Sequence, residues 1–483
     1  TLDFINQRYL TTSSTSFYSG VSSFPGWSFS RSSSGYSLDG KQSFSTNTPR
    51  IESGVGLLVE SSATNLVVYS IDGVNAQGPG AGTIVTEGVV TTGITDPSGG
   101  TGAITIASAG IAGGDGTNWS TYSNYSSGTT YTNSFYVKAG TATIVQISGN
   151  GSVFGTNQYA NIDLSTGTVA VQVGGIATVT YVGNGWYRLT WSCTATTSQT
   201  NYGGPALAFI NSLSDNVRYP TITSPGKTLT CWGFQLESGS SVSSLIATTS
   251  TSATRAADSA SISYSGTATS ASVTTPGLGT MTYPAAGVTN LFPNSQGGPS
   301  MWTYGAVPMT GSQRAPDGTL TATLVSPTGT FNQAAFGVNY TAGLTYTASC
   351  WLWVPSGTGK VRMIMWPSSG SNLESPDLLL TTTPTRYTFT YVNMPYSTTN
   401  GTFELESASD NTYQPFYYWG IQVEQTSSAN GYVPTTSSSA TISPTSPFTI
   451  SQAPFLGQNI QSVLMSGPTL PLNTVSPQLS YTY

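Results

Sequence analysis

The chain has 483 residues, 13 basic and 19 acidic, with a formal net charge of −6 and no histidine. Only 7% of its residues are charged, against about a quarter in an ordinary soluble domain, so surface polarity falls to Ser, Thr, Asn, Gln and Gly. These figures exclude Ser-His-Asp and Cys-His catalysis, histidine zinc sites and histidine pH switches. An acidic balance without basic runs also argues against nucleic acid as a partner.

The 37% apolar and 11% aromatic residues supply material for cores and argue against disorder. The length suits two to four domains. No stretch of about twenty apolar residues occurs, so membrane insertion is not expected. The chain begins at Thr1, with no positively charged leader followed by an apolar run, which suggests a trimmed or processed chain. Cys193, Cys231 and Cys350 are odd in number and widely spaced. They match neither a zinc pattern nor a disulfide framework and read as buried free thiols.

In chain order, residues 1–62 read as a leader or attachment segment, in which Gly56-Leu57-Leu58-Val59-Glu60 is a short strand among Ser-rich loops. Residues 63–258 form a first sandwich. Its strands include Thr132–Lys138 and Thr143–Ile147, and a hairpin turns at Ser165-Thr166-Gly167. Within Trp186–Cys193, period two places Tyr187, Leu189, Trp191 and Cys193 on a core face. Residues 259–286 read as a linker, with an edge-strand candidate at Ser261–Tyr264, and residues 287–436 as a second sandwich. Residues 437–483 read as an extended arm, because Pro444, Pro447, Pro454, Pro468, Pro471 and Pro477 oppose helix and central strand; a free tail is the plain alternative.

Two marks occur twice in the same order. Thr64-Asn65-Leu66 and Thr289-Asn290-Leu291 open the two sandwiches, while Trp232-Gly233-Phe234-Gln235-Leu236-Glu237 and Trp419-Gly420-Ile421-Gln422-Val423-Glu424 close them. They indicate a duplicated domain. With no convincing long helix and many short strands, the fold class is all-β: tandem jelly-roll sandwiches with an N-terminal leader and an extended C-terminal arm.

Sugar recognition needs aromatic faces for C–H surfaces and polar partners for hydroxyls. In the first sandwich Trp119, Tyr122 and Tyr125 lie in a Gly/Ser/Asn segment; in the second, Trp302, Tyr304 and Trp366 lie near turns. Their plain alternative is packing on sandwich edges. Trp186, Trp191, Trp232 and Trp419 sit in the strongest strands and read as core. Arg188, Glu237 and Glu424 read as groups that pair or cap a sheet edge. The carboxylate pairs Glu374 with Asp377 and Glu404 with Glu406 read as solvated acids, since a glycosidase needs two carboxyls facing each other across a cleft. No catalytic residue, metal ligand or cofactor is assigned; the Asp-bearing loops are compatible with a structural calcium ion.

The run of marks Phe29-Ser30-Arg31, Asn47-Thr48-Pro49-Arg50-Ile51, Gly56–Glu60, Thr64-Asn65-Leu66, Tyr136-Val137-Lys138-Ala139, Gly183–Arg188, Trp232–Glu237 and Thr254-Arg255-Ala256-Ala257-Asp258 covers about residues 1 to 260. It resembles bacteriophage virion proteins of the head-spike, head-fibre or tail-associated kind, which carry carbohydrate-binding-module-like jelly rolls. The resemblance implies a structural decoration or fibre protein on the exterior of a phage particle. Its partners would be other virion proteins, itself as a homo-oligomer with a trimer favoured, and host cell-surface glycans. The second sandwich keeps fewer marks. A tailspike-type depolymerase and a bacterial surface adhesin are the alternatives; no short solenoid repeat supports the former.

Overall fold

The structure is a computed structural model that describes residues 1–11, 17–73, 83–86, 89–110, 116–120, 123–203, 206–296, 302–304, 307–329, 333–407 and 413–467. At 83–86, 116–120, 201, 302–304 and 333 it describes the backbone alone. Two compact units are formed: one from Ser30–Arg50 and Glu60–Asp258, the other from Thr1–Phe29, Ile51–Val59 and the chain from Ser259 on.

The first unit is a jelly-roll sandwich of two six-stranded antiparallel sheets. The closing sheet runs, in spatial order, Val90–Ile94, Ala103–Ala107, Thr228–Ser238, Thr130–Ala139, Trp186–Thr194 and Ile176–Gly183. The opposite sheet runs Thr168–Val173, Tyr159–Asp163, Ile144–Ser148, Ala206–Phe209, Gly116–Ser120 and Thr83–Thr86. Neighbours distant in sequence mark the crossovers of a Greek-key arrangement. Leu189, Trp191, Phe135 and Phe234 from one sheet meet Val145, Ile147, Ile162 and Phe209 from the other in one buried core. The period-two reading of Trp186–Cys193 holds here: Leu189, Trp191 and Cys193 are core residues and Tyr187 packs against them.

The second unit contains a sandwich of the same plan. Its closing sheet is Met309–Gln313, Ala322–Val325, Phe416–Glu424, Tyr346–Trp353 and Thr385–Tyr391. Its opposite sheet is Trp302–Tyr304, Gln333–Tyr340, Thr398–Ser407, Gly359–Trp366 and Leu373–Glu374. Phe336, Leu352, Met363, Phe403, Leu405 and Ile421 share its core.

The same unit corrects the reading of leader, linker and arm as separate segments. Leu2 pairs with Val463, Val463 with Val273, and Val273 with Met281, across one five-stranded sheet. Ser259–Ile262 pairs with Phe448–Thr449, and Gly56–Leu58 with Asn459–Ile460. Leu2, Phe4, Leu57, Ile262, Val273, Phe448, Phe455 and Val463 form one buried cluster. Each short segment carries too little apolar surface to fold alone, and pooling them builds a core. Pro444, Pro447 and Pro454 fall between these strands, where a missing N–H costs no ladder bond; Pro468, Pro471 and Pro477 lie outside the described residues.

Candidate functional site

The duplicated marks build the same buried clasp twice. Asn65 donates to the carbonyls of Phe234 (3.1 Å) and Ile246 (2.9 Å) and accepts from the N–H of Val67 (3.0 Å) and Leu236 (3.1 Å). Asn290 makes the corresponding set with Ile421, Val433, Phe292 and Val423. Gln235 bridges Glu237 and the N–H of Ile246; Gln422 bridges Glu424 and the N–H of Val433. Arg188 reaches Ser134 and the Ser243 carbonyl over the Tyr136 ring, and Arg386 reaches Ser349 and the Asn430 carbonyl over the Trp351 ring. The side chains of Asn65, Asn290, Gln235 and Gln422 are fully buried. Such groups, saturated by main-chain partners, fix where strands lie. Glu237 bonds Gln235 and Ser243 and Glu424 bonds Gln422 and Asn430, the structural part that the sequence reading gave them.

The remaining marks of the first unit meet in a second buried cluster. Arg31 contacts Asp258 at 3.0 Å, Arg50 contacts both Glu60 and Asp258, and Arg255 lies 3.3 Å from Glu60. Ser244 donates to Glu60 through its N–H and its hydroxyl. Burial alone would raise the Glu60 carboxyl, but Arg255, Arg50 and Ser244 outweigh it and hold the group below its ordinary value. Every arginine is engaged with protein, so this is a tie between chain segments.

The outward face of each closing sheet is packed. In the first unit Tyr136, Trp186 and Trp232 cluster there with Tyr36; in the second, Trp351, Trp419 and Tyr432 join the core that holds Tyr283. The other broad face of each sandwich is the outward face of the opposite sheet.

In the second sandwich that face gathers three of the six residues expected to bind sugar. Phe336, Phe403 and Met363 point into the core, so the alternate positions face outward. Trp302 pairs with Ala335, Ala335 with Glu404, Glu404 with Ile364, and Ile364 with Glu374. One pleat away Tyr304 pairs with Gln333, Gln333 with Glu406 and Glu406 with Arg362; on the other side Thr402 pairs with Trp366. Trp302, Tyr304 and Trp366 therefore occupy outward register positions around two glutamates. Glu404 and Glu406 are 6% and 1% exposed, while Trp366 is half-buried and Glu374 reaches solvent, so the centre of the face is buried and its edge is open. Glu404 accepts a hydrogen bond from the Thr402 hydroxyl (2.5 Å). Burial raises the Glu404 carboxyl above its ordinary value; the Thr402 bond opposes this and the Glu406 charge adds to it. Arg362 grips Glu374 (2.6 Å) and Glu406 and lies 3.8 Å from Asp377. These carboxylates were expected to be solvated acids; the two central ones are buried. Their i, i+2 spacing on a strand was the available signal, and only the tertiary fold could show the burial.

The corresponding face of the first sandwich is strapped by its own chain. Gln146 and Asn161, both fully buried, bond each other (2.9 Å). Gln146 also donates to the Val217 carbonyl and accepts from the Tyr219 N–H, and Asn161 donates to the carbonyls of Leu213 and Asp215. The Arg218 guanidinium sits 3.9 Å from the Tyr219 ring centroid. Of the aromatic trio expected in this sandwich, Trp119 is described by its backbone alone and Tyr125 in full. Trp119 pairs through its backbone with Ile84. Tyr122 lies outside the described residues. Tyr125, expected to bind sugar or else to pack, is packed: it is 3% exposed and meets Tyr131 and Phe154 edge-on at 4.9 and 5.6 Å. An aromatic cluster in the core gains more from burying that ring than solvent does.

The three cysteines are buried free thiols. No group of metal-ligating side chains occurs among the described residues, and no helix there is long and apolar enough to cross a membrane.

No protein-family model matches the chain, and no curated protein matches it. Among solved structures, the tandem CBM22-1–CBM22-2 domain of Paenibacillus barcinonensis Xyn10C is 12% identical, covering 76% of this chain and 99% of its own, with a TM-score of 0.25. The CBM22-1 xylan-binding domain of the same enzyme is 11% identical over 29% of this chain and 94% of its own, with a TM-score of 0.23. A CBM4 structure is 17% identical over 22% and 72%, with a TM-score of 0.20.

Proposed function

We propose that this chain is a non-catalytic, glycan-binding protein and that the second sandwich is its binding module. The observation that carries the reading is the outward face of the opposite sheet, where Trp302, Tyr304 and Trp366 take register positions around Glu404 and the Thr402 hydroxyl that donates to it. Aromatic rings stack on sugar C–H faces and carboxylates accept from hydroxyls, the division of labour a sugar site needs. The marks across residues 1–260 support the finer reading, a decoration or fibre component on the exterior of a phage particle, acting as a homo-oligomer with a trimer favoured, in contact with other virion proteins and host glycans. Trp119 and Tyr122 of the first sandwich stay secondary candidates.

The test is affinity electrophoresis of the full chain against host-surface polysaccharides. Trp302→Ala and Trp366→Ala should each weaken binding about tenfold, as loss of a stacking ring does. Wild-type binding unmoved by both changes defeats the site, and no binding at all defeats the function. Release of reducing ends by the wild type defeats the non-catalytic part, and a stable monomer in sedimentation defeats the trimer.

A further inference from the structure

Resting on the reading above, we infer that this face of the second sandwich selects neutral or amine-bearing glycans and rejects acidic ones. The positive charge on this face is already engaged within the chain. The described residues on and around this face carry two cations, Lys360 and Arg362, and four carboxylates, Glu374, Asp377, Glu404 and Glu406. Their formal sum is −2. An anionic sugar needs a cation able to turn towards it, through paired N–H donors where the cation is arginine. Arg362 is held by Glu374, Glu406 and Asp377 together, with its side chain 11% exposed. Lys360 opens the same strand opposite Leu379, at the end away from Trp366, and itself carries a further interaction.

Glu404 faces the other way chemically. It stands at the centre of the face between the rows of Tyr304 and Trp366, and it makes one hydrogen bond, from Thr402. A carboxyl so placed accepts from sugar hydroxyls or from an amine and repels a uronate, sialate, sulfate or phosphate. Like charges brought together where the dielectric is low weaken binding steeply, on the order of tenfold or more.

The experiment uses the full chain and three probes of similar length, a neutral β-glucan, chitosan and polygalacturonate, followed by affinity electrophoresis at low and high salt. The proposal expects the wild type to bind the β-glucan or chitosan at least about tenfold more tightly than polygalacturonate. The rim variant Glu374→Lys, with Glu374→Gln as the milder change, should raise polygalacturonate binding and lower chitosan binding, with an effect that shrinks in salt. Equal wild-type binding of polygalacturonate and β-glucan overturns the selectivity while leaving the glycan site standing. Polygalacturonate binding unmoved by Glu374→Lys does the same. Failure to bind any of the three overturns the selectivity together with the reading beneath it.

Discussion

Replacing Asn65 by alanine isolates the energetics of the clasp. The side chain is fully buried and makes four hydrogen bonds, all to main chain: two to carbonyls and two from N–H groups. Alanine removes all four bonds; the Ile246 carbonyl keeps the Ser70 hydroxyl (3.2 Å), and each lost bond costs about 1 kcal/mol, so the expected loss is about 3–4 kcal/mol. In a unit of this size that lowers the melting temperature by about 10 °C. Asn290→Ala removes the corresponding four bonds in the other unit and should cost the same there. Calorimetry of the full chain reads both, because units that unfold separately give separate transitions. Asn65→Asp should do no better than alanine: it keeps the acceptor but turns an oxygen towards two carbonyls. Shifts below about 3 °C in both alanine variants, equivalent to about 1 kcal/mol, or an aspartate variant as stable as wild type, would refute the reasoning.

Gly233 and Gly420 have φ of +64° and +66°, and a Cβ would sit 2.6 Å from the Tyr136 ring and 2.8 Å from the Trp351 ring. Gly233→Ala and Gly420→Ala should therefore each lower stability by about 2–4 kcal/mol in urea titrations; neutral substitutions would mean the bulge relaxes freely. The glutamates of the first unit predict opposed pH slopes. The Glu60 carboxyl is held below its ordinary value of 4.5, so its contribution is in place above 4.5 and lost as pH falls through the depressed value. Burial, against hydrogen bonds from Ser243 and Gln235 and the Arg188 charge, raises the Glu237 carboxyl, so its contribution is in place below 4.5 and lost as pH rises through the raised value. At pH 7 Glu60→Gln should destabilise and Glu237→Gln should not, and the reverse order in urea melts would sink the assignment.

How far the sequence carried the fold can be traced at Trp232-Gly233-Phe234-Gln235. Period two groups Trp232 with Phe234 and Leu236. In the structure Phe234 and Leu236 face the core, while Trp232 belongs to the cluster on the other face. The cause is a β-bulge: Ser134 pairs with Gln235 and Tyr136 with Trp232, so Gly233 and Phe234 stand opposite Phe135 alone. A positive-φ glycine permits that extra residue, which shifts the phase by one. The second copy repeats it: Ser349 pairs with Gln422 and Trp351 with Trp419, so Gly420 and Ile421 stand opposite Cys350 alone. The glycine after each tryptophan was the visible sign of the bulge, and alternation alone misses it. The leader, linker and arm were illegible for another reason. Pairings such as Leu2 with Val463 join the ends of the described chain, and no local pattern encodes a partner so far away.

The two copies separate what holds a sandwich together from what it binds. Asn65 and Asn290, Gln235 and Gln422, Glu237 and Glu424, and Arg188 and Arg386 do the same work in both, so the repeated marks describe a closing device. A binding function has to be sought where the copies differ, and they differ most on the opposite sheet. There the first sandwich spends Gln146 and Asn161 on the carbonyls of its own 213–217 segment, so its acceptors and donors are satisfied within the chain. The second leaves Glu404 with a single hydroxyl partner, in the row of Trp302 and next to that of Trp366. A carboxylate has roughly four lone-pair sites. One that is 6% exposed and uses one donor gains most from a ligand bearing several hydroxyls, which is why the second sandwich, with fewer of the marks, is the better place to test the proposed glycan binding.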